Sequence, residues 1–90
     1  MANPAAVFYF RLSGGHGIGR VELLELWSAA CHSKDVAVSR VDSGNVNGEP
    51  AHTYSLFGPA KQLNVFDVEA RIRESLIAAL PKATFVLSRY

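Results

Sequence analysis

Ninety residues with nine basic and eight acidic side chains make one domain, residues 1–90, with a single modest core. At 49% hydrophobic and 19% charged residues the chain is globular rather than disordered, and a net charge of +1 builds no field for non-specific nucleic-acid binding. One cysteine, Cys31, excludes an intrachain disulfide, and no apolar run approaches the roughly 20 residues of a membrane span, so no membrane association is expected.

The first apolar run, Val7–Leu12 (VFYFRL), has the length and aromatic content of a strand. No basic residue precedes it and no cleavage site follows it. A signal peptide is therefore not expected, and the cytoplasm is the expected compartment. The segment LSGGHGIGR, Leu12–Arg20, ends the strand. From Arg20 to Ser33 the period changes: Leu23, Leu24, Trp27, Ala30 and Cys31 recur at three- and four-residue spacing, one stripe of a helix. Glu22 and Glu25 lie near its start and Lys34 at its end, as the helix dipole favours. Val36–Val41 (VAVSRV) reads as a second strand. The segment DSGNVNGEP reads as a flexible connection, with Asn47-Gly48 as a turn.

His52–Phe57 (HTYSLF) alternates polar and apolar residues and is the third strand, stopped by Gly58-Pro59. Asn64 is placed to cap a second helix over residues 64–80, with Asp67 three residues on. Its buried stripe is Val65, Val68, Ile72, Leu76, Ala79 and Leu80. Asp67–Arg71 and Glu69–Arg73 are i,i+4 pairs on the outer face, and Pro81 closes the helix. Thr84–Tyr90 (TFVLSRY) is the last strand.

This β-α-β-β-α-β order predicts an α+β fold: a two-layer ferredoxin-like sandwich, with a four-stranded antiparallel sheet and both helices on one face. Period two turns Phe8, Phe10, Tyr54, Leu56, Phe85 and Leu87 toward the helices. It turns Val7, Tyr9, Arg11, Thr53, Ser55, Phe57, Val86, Ser88 and Tyr90 to the open face. An open face carrying Val7, Tyr9, Phe57, Val86 and Tyr90 is expected to meet a second copy of the chain or a protein partner, with Arg11 beside it.

The glycine segment allows two readings. Its glycines supply positive φ and slack between a strand and a helix. Alternatively Gly15, His16, Gly17, Ile18, Gly19 and Arg20 form an anion site, with backbone N–H groups at a helix start and charge from Arg20 and His16. Gly14 and Gly19 have the spacing of a nucleotide-binding P-loop, but Arg20-Val21 stands where that motif needs Lys and then Ser or Thr.

The stretch RLSGGHGIGR resembles the phosphate loop of acylphosphatases, small ferredoxin-like enzymes. The resemblance implies that Arg20 holds a phosphate with the loop's N–H groups, as part of a small hydrolase. This chain departs from the pattern in lacking the Phe before the Arg. It also lacks the Asn on the strand after the first helix; Asn45 and Asn47 lie beyond that strand.

Val7–Leu12 and Leu23–Trp27 also resemble the first motif and first helix of RNA-recognition domains, which implies an RNA-binding module. HTYSLF does not carry that family's second motif, so nucleic acid is not the expected partner. No metal or cofactor is expected. Cys31 and the adjacent His32 point to different faces of a helix, and no paired ligand spacing occurs. Cys31 falls on the apolar stripe as a small core residue. The function expected from these features is a non-catalytic binding or regulatory module that associates through its open sheet face, with an anion-binding loop or small hydrolase as the alternative.

Overall fold

In a computed structural model, residues 5–12, 16–46 and 49–90 are described. The elements are β1 (Ala5–Leu12), α1 (Arg20–Cys31), β2 (Ala37–Val46), β3 (Glu49–Gly58), a 3₁₀ turn at Ala60–Gln62, α2 (Val65–Ala79) and β4 (Ser88–Arg89). All strand pairings are antiparallel, in the order β2-β3-β1-β4. The expected β-α-β-β-α-β order is present, and the architecture is an α+β two-layer sandwich.

Alternation builds the sheet's half of the core. Phe8, Phe10 and Leu12 of β1, Tyr54 and Leu56 of β3, and Val38 of β2 join one buried cluster. The helices complete it with Leu23, Trp27, Ala30 and Cys31 of α1 and Val68, Ile72 and Leu76 of α2. Trp27 is fully buried. Its ring meets Phe8 edge-on at 5.9 Å, and its indole N–H donates to the Phe57 carbonyl at 2.8 Å. The one polar atom of a large buried side chain is thus satisfied.

α1 ends two residues before the expected Ser33. His32 takes the left-handed conformation (φ 52°), and the His32 and Ser33 N–H groups return to the Ala29 and Ser28 carbonyls. That geometry closes the helix and leaves Lys34 beyond its last turn. α2 starts as its sequence dictates, with the Asn64 side chain accepting the Asp67 N–H at 3.3 Å. The expected Glu69–Arg73 pair is present at 3.5 Å. Arg71, spaced to meet Asp67, sends its guanidinium to the Ala30 carbonyl instead, at 3.1 Å, and so ties α2 to α1.

Three expectations about the strands are corrected. First, β2 and β3 are longer than 36–41 and 52–57. The segment read as a flexible connection continues the ladder to Asn45↔Pro50 and Val46↔Glu49, after an irregularity beyond Asp42. Backbone pairing needs no apolar side chains, so a polar composition concealed it. The Asn47-Gly48 turn lies outside the described residues.

Second, β4 is two residues rather than Thr84–Tyr90, pairing only Phe8↔Arg89 and Tyr9↔Ser88. Residues 83–87 leave the ladder while keeping its alternation: Phe85 packs on Phe10 at 5.7 Å and Leu87 is buried, but Val86 is exposed. Side-chain burial rather than backbone pairing holds this segment.

Third, Val7 is not on the open face. A bulge between Ala6 and Phe8 breaks the alternation, and Val7 joins the core at 7% exposure.

Candidate functional site

The site lies where β1 hands over to α1. Tyr54 faces the helix layer by the parity of HTYSLF, and its ring stacks on Phe10 at 5.0 Å. Its hydroxyl accepts the Ile18 N–H at 3.1 Å in a buried bond across 36 residues. The Ile18 side chain is itself buried. Together these two contacts fix the approach to α1. Gly19 is then extended (φ −66°, ψ 148°) and its carbonyl accepts the Leu23 N–H at 2.9 Å, so α1 begins at Arg20 with no side chain capping it.

Neither Gly17 nor Gly19 has a positive φ. A Cβ on Gly17 would stand 3.4 Å from the Tyr54 hydroxyl, whereas a Cβ on Gly19 would meet nothing within 4 Å. The positive-φ reading therefore does not apply to these two; Gly14 and Gly15 lie outside the described residues.

Between the start of α1 and β2 lies a cleft of about 520 Å³, lined by Ile18, Gly19, Arg20, Leu23, Val38, Ser39, Arg40 and Tyr54. Ile18, Leu23, Val38 and Tyr54 are almost wholly buried and form an apolar floor. Arg20 of α1 and Arg40 of β2 both line it, so two cationic residues reach it from separate elements. Beyond the cleft, Arg40 belongs to a charged cluster along the hairpin. The Asp42 Oδ1 is 3.7 Å from the Arg40 Nε and 2.8 Å from the Nδ1 of His52, its cross-strand partner. A carboxylate only accepts, so the His52 Nδ1 carries the proton.

Of the expected anion-site residues, Ile18, Gly19 and Arg20 line this cleft. His16 is half-buried and Gly17 exposed. Gly15 lies outside the described residues. The Ile18 N–H is already donated to Tyr54, so it is no donor for a ligand. Sequence reasoning missed Arg40, Asp42, His52 and Tyr54 as site residues. Their signal is parity: the alternation that turns Tyr54 and Leu56 inward also places His52 on that side, and the β2–β3 register brings Arg40 and Asp42 opposite.

The open sheet face carries the other expected set. Tyr9 and Tyr90 have ring centroids 4.9 Å apart, and the Tyr90 hydroxyl is 2.7 Å from the Ser55 hydroxyl. Phe57 is half-buried; Arg11, Val86 and Tyr90 are exposed. The face is therefore partly covered by its own tyrosines, and Val7 is withdrawn from it.

Cys31 is buried, and burial pushes its thiol up to about 12 against a smaller opposing effect of Arg71. The thiolate is thus scarce at neutral pH. Among the described residues no three His, Cys, Asp or Glu side chains are grouped to hold a metal, and no helix is long and apolar enough to cross a membrane. No protein-family model, curated protein or solved structure matches this chain.

Proposed function

We propose that this protein is a binding module whose cleft between α1 and β2 takes a small ligand with an anionic group and an apolar body. The observation that carries the reading is the convergence of Arg20 and Arg40, from two elements, on one cleft with an apolar floor. Guanidinium groups suit phosphate and carboxylate oxygens. A volume of about 520 Å³ is far more than an inorganic anion fills, and lies in the range of small-molecule sites.

Calorimetry with phenyl phosphate and inorganic phosphate tests this. Phenyl phosphate binds about tenfold tighter, because the ring covers apolar floor. Arg20→Ala and Arg40→Ala each weaken both ligands. Equal affinity for the two ligands, or no effect of either substitution, overturns the reading. The same samples, given acetyl phosphate, test the hydrolase that the acylphosphatase resemblance implies. Turnover lost in Arg20→Ala replaces binding with catalysis.

Self-association through the sheet is a second reading, favoured by Tyr90, which is 66% exposed and packs on Tyr9. Sedimentation equilibrium tests it: Tyr90→Glu and Tyr9→Glu weaken a dimer if this face closes one. A monomer at several hundred micromolar wild-type protein removes the reading.

A further inference from the structure

We propose that His52 and Asp42 make anion binding in the cleft proton-linked: protonation of His52 draws Asp42 away from Arg40 and frees that guanidinium for the ligand. The inference rests on the cleft reading above and adds a regulation to it.

Its basis is one shared oxygen. The Asp42 Oδ1 takes the His52 Nδ1 at 2.8 Å and the Arg40 Nε at 3.7 Å. Arg40 also lines the cleft. With His52 neutral, its N–H bond leaves the negative charge of Asp42 beside Arg40, where it competes with any anion for that guanidinium. With His52 protonated, the short contact becomes an ion pair and Asp42 is neutralised from the other side. The long, exposed Arg40–Asp42 contact is the weaker of the two and yields first. The added positive charge also raises the potential in the cleft. Both changes favour an anion as pH falls.

Among the described residues, these groups bear on the titration of His52. Asp42 and Arg40 are on β2. Tyr54 is on β3, its ring 6.4 Å away and its hydroxyl engaged by the Ile18 N–H. Leu12 is its partner on β1. Arg20 of α1 lines the same cleft as Arg40 and Tyr54. Histidine is the side chain that ordinarily changes charge between pH 5 and 8, so His16 is the control for His52.

Sulfate is the probe, because its charge is constant over this range. Wild-type protein is titrated with sulfate to tens of millimolar at pH 8 and at pH 5.5. Affinity rises about threefold at the lower pH, the size of one screened charge interaction. The rise persists in His16→Gln and disappears in His52→Gln. Asp42→Asn, a change at a side chain 72% exposed, binds at pH 8 about as tightly as the wild type does at pH 5.5. By reciprocity, saturating sulfate moves the titration midpoint of the His52 ring, read by NMR in the unmutated protein, upward by about half a unit. Equal wild-type affinities at the two pH values overturn the proposal, as does a rise that survives in His52→Gln or a His52 midpoint that sulfate leaves unmoved. Absence of sulfate binding at both pH values removes the cleft reading itself, and this one with it.

Discussion

α2 begins at Asn64, whose side-chain oxygen accepts the Asp67 N–H at 3.3 Å, and Asp67 adds a carboxylate to the first turn. The cap residue of α1 is Gly19, which has no side chain to do this. Glu22 is the acid of its first turn, and Arg20 and Arg40 stand at the cleft beside it. The first helix is positioned from outside instead, by the Tyr54 hydroxyl one residue before its cap. The difference separates two jobs. A helix start that satisfies its own N–H groups contributes stability and offers little to a ligand. A start that is held by a distant strand and left uncapped keeps its donors for something else.

The largest effect on this contrast is expected from Tyr54→Phe. It leaves the buried Ile18 N–H without an acceptor, which costs about 1–3 kcal/mol. Urea unfolding measures the loss, and phenyl phosphate affinity falls with it because the segment before α1 is no longer fixed. A variant as stable as the wild type shows that something else holds that segment.

Asn64→Ala comes next and concerns the other helix. It costs about 1 kcal/mol in the same unfolding experiment. It leaves phenyl phosphate affinity unchanged, since it lies outside the cleft.

Gly19→Asp makes the first helix start like the second. The position is open, with nothing within 4 Å of a new Cβ. The carboxylate caps α1 for a gain of a few tenths of a kcal/mol. It repels an anion at the same time, so a slightly higher Tm accompanies loss of ligand affinity. Affinity retained in this variant places the anion elsewhere.

The smallest effect belongs to the far side of α2. The Glu69 carboxylate accepts from Arg89 at 3.0 Å, and this bond, with the charges of Arg89 and Arg73, holds its pKa below the ordinary carboxylate value; burial opposes the shift. A lowered native pKa means that the contribution is fully present above the ordinary carboxylate pKa. It is lost as pH falls through the lowered one. Glu69→Gln therefore lowers stability near neutrality and makes the acid side of the stability profile shallower. An unchanged profile shows that Arg89 gains nothing from this contact.

Much of this arrangement was legible along the chain, for identifiable reasons. The Asn64 cap, the Trp27 stripe and the inward Phe8, Phe10, Tyr54 and Leu56 are local or periodic features, and periodicity survives folding wherever one face is buried. The bulge at Val7 and the short β4 depend on which backbone groups find partners across strands, which no residue states about itself. The Asp42–Pro50 stretch looked like a connection because its residues are polar and turn-forming. Its backbone nonetheless pairs for most of its length. The cleft was half legible. Arg20 and Gly19 sit in a conspicuous glycine segment, whereas Arg40, Asp42 and His52 become neighbours only through the β2–β3 register.

The most direct test of the account is an amide-shift titration of the wild-type protein with phenyl phosphate. Gly19, Arg20 and residues 38–40 shift together along one binding curve, from α1 and β2 at once, while Tyr9, Ser55 and Tyr90 stay still. Shifts confined to the open sheet face, or none at tens of millimolar ligand, contradict it.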